Sequence, residues 1–227
     1  MGDHWGPSRM RRLTRAFFDR DSLSVARDLI GCVLVSRLPQ GTAAVRLVEV
    51  EAYRGSLDPG SHGYRGVTPR TVVMYGPPGR LYVYFSYGMH WCANVVCAPP
   101  GQCEAVLLRA GEPVAGIDLM RARRKVDKES LLASGPGRLA QALGIQREHN
   151  GATLLRGGSF FLAEDGCTFS YRRGEIAVSE RVGLARGKGD DLPWRFFVAG
   201  NPNVSGKRRT PGMRSRGGPR PQPAQGS

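Results

Sequence analysis

The sequence predicts an α+β fold: a single mixed domain in which an antiparallel sheet carries flanking helices and a protruding aromatic β-hairpin. Three observations lead there. The chain has 227 residues, enough for one domain with a sizeable core and too few for two comfortable ones. Between residues 32 and 109, short β-type runs alternate with turns containing Gly and Pro, the pattern of strands joined antiparallel. Helical spacing of apolar residues is confined to short segments, and no internal repeat occurs.

Residues 1–12 are polar and basic, with Arg9, Arg11 and Arg12, and read as a flexible arm before a globular part spanning 13–206. A helix starts at Asp21 or Ser22 and runs to residue 29, with Leu23, Val25, Ala26 and Leu29 on one face and Gly31 placed to stop it. Residues 32–38 and 44–53 read as strands joined at Pro39-Gln40-Gly41. By the period of two, Val45, Leu47, Glu49 and Glu51 share one face of the second strand, which therefore passes from apolar to acidic. Residues 54–70, rich in Gly, Pro and Arg, form a loop holding His62 and Thr68-Pro69-Arg70. A strand at 72–75, the turn Pro77-Pro78-Gly79, the hairpin and a strand at 104–109 follow. A helix is expected from about Pro113 to the basic cluster Arg121, Arg123, Arg124 and Lys125, and another over 136–143. Before the latter, the amides of Ser134-Gly135 together with Arg138 suit a phosphate; they equally suit a plain helix start. Short strands near 159–163, 175–178 and 194–198 complete the domain, and 207–227, basic and almost without apolar residues, reads as a disordered tail.

Lysine and arginine total 33 against 19 acids, a formal charge of +14, and only Lys125, Lys128, Lys188 and Lys207 are lysines. Arginine forks grip phosphate bidentately, whereas side chains able to form a Schiff base are scarce. The tail holds six of these cations and no acid, so an excess of eight remains on the rest, which favours a nucleic-acid partner over a merely solvated charged face. The five cysteines are odd in number and contain no CxxC pair, which argues for free thiols in a reducing compartment and against a disulfide framework or a metal site. The N-terminus lacks a secretory apolar stretch and no segment has the length of a membrane span, so a cytoplasmic protein without a membrane partner is expected.

Residues 81–94 read LYVYFSYGMHWCAN, a hairpin with Tyr87 at its tip. An exposed tip tyrosine on a basic chain can stack on or wedge apart the bases of a polyanion; folding back onto the domain is the other reading. Glu51 closes a strand beside a flexible loop, where apolar neighbours desolvate it within reach of a substrate. Against that stands an ordinary surface carboxylate paired with one of many arginines. Glu49 and Glu51 lie roughly 6.6 Å apart on a strand, at about 3.3 Å per residue. That spacing also allows metal binding with Asp58 and His62, as in a metal-dependent nuclease, or a carboxylate pair for glycoside hydrolysis.

EVEAY at 49–53, His62, TPR at 68–70, PGRLYVYFSYGMHWCAN at 78–94, AVLLRAGEP at 105–113, SGPGRLAQALGI at 134–145 and RFFVAGNPNVS at 195–205 occur in one order. Together they resemble the alkyladenine (3-methyladenine) DNA glycosylase family over roughly 13–205. The resemblance implies a mixed α+β domain with an antiparallel sheet that works on double-stranded DNA containing damaged purines, as a monomer and without metal or cofactor. It implies that Tyr87 fills the gap left by a flipped nucleotide and that Tyr53, His62 and Tyr84 sandwich the extruded base. It further implies that Glu51 activates water with Arg109 beside it, that Asn94 crowds the amino group of normal guanine, and that Arg70 lies on the DNA-binding surface. His90-Trp91 and a loop at 62–68 shorter by one residue depart from better-known members.

Chemistry supports the same expectation independently. A base inside a duplex stack must be extruded before excision, at a cost of about a few kcal/mol that a wedge offsets. A purine alkylated at N3 or N7 is cationic, binds between aromatic faces and leaves readily. With no lysine near these segments, water is the expected nucleophile and no strand cleavage is expected. A non-catalytic nucleic-acid-binding protein is the alternative from another class; it leaves Glu51 unexplained.

Overall fold

The computed structural model describes residues 10–173 and 176–206. Residues 1–9 of the expected arm, Glu175 of an expected strand and the expected tail at 207–227 lie outside them. The strands are β1 (Arg11–Arg12), β2 (Val33–Leu38), β3 (Gly41–Arg54), β4 (Leu81–Ser86), β5 (His90–Cys97), β6 (Glu104–Ala115), β7 (Phe160–Glu164), β8 (Ile176–Ser179) and β9 (Arg195–Val198). All belong to one sheet in the order β1-β7-β2-β3-β6-β5-β4, with β9 between β3 and β8, and every pairing is antiparallel. The helices are α1 (Arg15–Phe18), α2 (Ser22–Leu29), α3 (Ile117–Arg124), α4 (Pro136–Leu143) and α5 (Thr168–Arg173). The mixed α+β domain with an antiparallel sheet is thus as expected, and no helix among the described residues is long and apolar enough to cross a membrane.

β3 is the spine. Its first half pairs with β2 from Gly41 to Arg46, its second half pairs with β9 from Glu49 to Glu51, and β6 runs along the other edge. The side of the sheet that buries Val45, Leu47, Val50, Ala52, Val83, Val95 and Leu108 also buries Val25 and Leu29 of α2 and Leu139 and Leu143 of α4. Each of these valines and leucines contributes about 1.5–3 kcal/mol relative to exposure. α2 begins where Asp21 accepts hydrogen bonds from the Leu23 and Ser24 amides. It is followed by Gly31 at φ 83°, where a Cβ would stand 2.6 Å from that of Tyr171.

Four expectations change. Val45, Leu47, Glu49 and Glu51 do not share a face. The β3–β6 register shifts twice between Leu47 and Val50, where Val48 and then Arg109 have no cross-strand partner. Each β-bulge reverses the alternation of the strand that carries it, so Val50 and Ala52 take the core side and the glutamates the opposite one. Val72–Tyr75 is a 3₁₀ turn rather than a strand, because Thr68 and Thr71 bond each other's amides through their hydroxyls and bend the chain. The helix expected from Pro113 starts only at Ile117, since β6 continues to Ala115 with Pro113 opposite Val45 at a register shift, where a missing amide is tolerated. Arg11 and Arg12, expected in the arm, pair with Glu164 and Ala163. Of the five free cysteines, four are buried and Cys167 is exposed.

Candidate active site

On the side of the sheet away from the main core, alternate residues of four strands form a grid. Tyr82 is opposite Asn94, Asn94 opposite Leu107, and Leu107 opposite Glu51, in one row across β4, β5, β6 and β3. With strands about 4.8 Å apart, Asn94 and Glu51 stand about 10 Å from one another. Above this row lies a cavity of about 490 Å³, whose lining includes Tyr53, His62, Tyr84, Tyr87, Asn94 and Arg109. Arg70 and the segment Val182, Gly183 and Leu184 close its sides.

Glu51 is fully buried. One carboxylate oxygen accepts the Tyr53 hydroxyl at 2.9 Å and Arg109 Nη1 at 3.3 Å, and the other accepts the Val182 amide at 2.7 Å. All three of these neighbours line the cavity. Burial, and then the Glu51 charge, push the Tyr53 hydroxyl well above its usual range, so it acts as a donor to that carboxylate. Burial works against charge on Arg109, but Glu51 and Glu49 outweigh it and keep the guanidinium charged.

His62 stands 3.1 Å from the Tyr82 hydroxyl through Nδ1 and 3.5 Å from Arg70 through Nε2. An arginine only donates, which assigns the proton to Nδ1. Enclosure by the cavity wall, and then the charge of Arg70, push the imidazole down to about 4. Its ring meets Tyr84 edge-on at 4.5 Å, and Tyr84 stacks on Tyr82 at 5.5 Å, so His62 and Tyr84 form one continuous aromatic wall. The Asn94 amide nitrogen donates weakly to the Tyr82 carbonyl at 3.4 Å.

At the tip of the β4–β5 hairpin, Tyr87-Gly88-Met89 links Ser86 to its partner His90. Tyr87 is 79% exposed and holds φ 49°, followed by Gly88 at φ 66°. A tyrosine in the left-handed region costs about 1–2 kcal/mol. Its hydroxyl reaches the Gly183 carbonyl at 3.4 Å across the cavity mouth. His90 packs against α4, where a Cβ on Gly137 would come within 2.3 Å of its ring.

Every residue singled out from the sequence as catalytic, base-binding or DNA-binding therefore lines the cavity or bonds to a residue that does. The set suggested for a metal does not converge. Asp58 is turned to Arg181, Glu49 to two arginines, and among the described residues no three of His, Cys, Asp and Glu are placed to share an ion. Sequence reasoning missed three supports: Arg195 and Ser205 around Glu49, Arg181 beneath Tyr53, and the Val182 amide. Arg195 and Ser205 lie in RFFVAGNPNVS, where a charged residue opening an apolar strand was the available signal; Arg181 and Val182 carried none.

Residues 16–202 match the family described as methylpurine-DNA glycosylase. A protein of Methanoculleus marisnigri is 50% identical over 85% of this chain and 98% of its own length. A Burkholderia lata protein is 47% identical over 86% and 91%, and one from Streptomyces avermitilis 48% over 85% and 90%. Each of the three is named "Putative 3-methyladenine DNA glycosylase".

Proposed function

The chain belongs to the methylpurine-DNA glycosylase family, and from that premise we propose that it extrudes alkylated purines from duplex DNA and hydrolyses their N-glycosidic bond with a water activated by Glu51. 3-Methyladenine and 7-methylguanine are the expected substrates, with hypoxanthine and ethenoadenine as neutral ones. The observation that carries this reading is the buried Glu51 carboxylate, held by three neighbours that all line an aromatic cavity.

Two carboxylate oxygens offer about four acceptor positions, and three are taken, which leaves one for a water aimed at C1′. The same charge stabilises the cationic sugar that develops as the base departs. Tyr53 on one side and the His62–Tyr84 wall on the other take the extruded base between them. A cationic purine gains from those ring faces what a normal base does not. Asn94, on the floor, meets the exocyclic amino group of guanine and disfavours it. Tyr87 enters the gap in the duplex, and Arg70 meets the DNA at the cavity mouth. The enzyme acts as a monomer on double-stranded DNA in the cytoplasm.

Incubation with methylated duplex DNA in EDTA tests the proposal. Free methylated purines should appear while the strand stays intact until abasic sites are cleaved by alkali. Binding without release would leave a non-catalytic DNA-binding protein, and chelator-sensitive breaks a nuclease. A covalent adduct trapped by borohydride would overturn water as the nucleophile.

A further inference from the structure

Glu49 is fully buried, and all of its contacts are to donors. One oxygen accepts Arg109 Nε at 2.9 Å, Arg195 Nε at 2.7 Å and the Ser205 hydroxyl at 2.8 Å; the other accepts the Ser205 amide at 2.6 Å. The Ser205 hydroxyl in turn accepts Arg109 Nη2 at 3.2 Å. Burial favours the neutral acid, but Arg109 and Arg195 outweigh it and hold Glu49 below the usual carboxylate range, so it is ionised at neutral pH.

This matters because of how Arg109 meets Glu51. An arginine beside a buried carboxylate ordinarily takes it with two parallel N–H bonds. Such a grip would occupy the acceptor position that a water needs. Here Nε belongs to Glu49 and Nη2 to Ser205, and only Nη1 reaches Glu51, at 3.3 Å.

We propose that Glu49 is a positioning residue that, with Ser205, holds Arg109 to a single contact with Glu51 and so keeps a face of the catalytic carboxylate open to water. The inference rests on the reading of Glu51 as the general base. It also gives the segment ending at Ser205, remote in sequence from the other site residues, a part in the catalytic geometry.

Single-turnover base release from methylated duplex at saturating protein tests it. Affinity for a duplex bearing a tetrahydrofuran abasic analogue is measured in parallel. Glu49→Gln weakens the hold on Arg109 Nε and lets the guanidinium turn a second N–H toward Glu51, into the acceptor position that a water needs. The plateau rate falls about 100-fold, as expected of a misplaced catalytic group, while affinity for the abasic duplex is unchanged. A wild-type plateau, or affinity for the abasic duplex lost in step with the rate, overturns the proposal.

If Glu49→Gln does not fold, Ser205→Ala decides. It frees Nη2 while sparing the Ser205 amide contact, and should slow release several-fold with affinity unchanged; wild-type kinetics there overturn the proposal. Absence of base release by the wild-type protein would instead remove the glycosylase reading, and this inference with it.

Discussion

Asp58 and Arg181 form a bidentate pair at 2.5 and 2.8 Å, both side chains fully buried. The guanidinium lies 4.5 Å from the Tyr53 ring centroid and 5.0 Å from that of Trp194. Asp58→Asn keeps the shape and leaves the Arg181 charge buried without its counter-ion. Breaking such a pair from one side costs about 3–5 kcal/mol. For a domain of this size each kcal/mol lowers Tm by about 2–4 °C, so a fall of roughly 6–20 °C is expected. Bonds from Arg181 to the Ala52 and Gly189 carbonyls, each 3.1 Å, place the outcome toward the lower end. Urea unfolding gives the free energy, and a thermal melt gives the shift in Tm. Adding Arg181→Met removes the stranded charge, and the double variant should regain part of the loss. A loss under about 1 kcal/mol, the size of an exposed ion pair, would refute the reasoning. So would strictly additive effects. Excision should fall alongside stability, because Arg181 fixes Tyr53 from behind and directly precedes the Val182 amide that holds Glu51.

Glu51→Gln should retain lesion binding and slow base release by about 10²- to 10⁴-fold, the range of general-base catalysis; retained turnover in a release assay would rule that role out. Tyr87→Ala should weaken duplex binding by about 1–3 kcal/mol, the scale of aromatic–base stacking, with little effect on single strands. Equal effects in gel-shift titrations would make the ring structural. Tyr87→Gly should lose the same affinity yet gain about 1 kcal/mol of stability through relief of the left-handed tyrosine, read from unfolding midpoints. His62, near 4 in the folded protein, binds fewer protons there than in the unfolded chain, whose imidazole titrates near 6.5. Its contribution to folding is therefore complete above pH 6.5 and is lost as pH falls toward 4. Melts across that window should show a shallower dependence on pH in His62→Gln.

Elements governed by local chemistry were legible. Asp21 caps α2 with its side chain, Pro136 opens α4 after Gly135, and the hairpin around Tyr87-Gly88 is set by alternation and turn residues. The limits of legibility were also physical. At 72–75 a β-branched, apolar run loses to two threonine hydroxyls that bond each other's amides from outside it. At 113–116 a proline that usually opens a helix is held in a strand by pairing with a residue nearly seventy positions away. Within the site, the residues that line the cavity were recognised through motifs. The groups that hold those residues came from segments with no local signal, because a buried arginine such as Arg181 is defined by the carboxylate it meets in space.

The turn of Glu49 and Glu51 away from the core shows why strict alternation misplaced the acidic half of β3. Had β3 stayed in phase, Glu51 would sit among Val50's present neighbours, where a charge without partners costs several kcal/mol. Val48 and Arg109 instead fall out of the ladder, one on each strand. The first bulge carries the acids across the sheet. The second leaves Arg109 on the side where Leu107 already stands and shifts the phase of β6 beyond it, so that Gly111 again stands opposite Leu47. Two compensating bulges on paired strands leave the register intact on both sides, so the core from Val45 to Ala52 remains apolar. Only the cavity side gains charge. A deletion of Val48 should therefore undo more than a point substitution in either glutamate: it would return Glu51 to the core side and leave Arg109 without its acid. Loss of folding, judged by circular dichroism, is the expected outcome, and a folded, active deletion would show that the bulge does not set the phase of the strand.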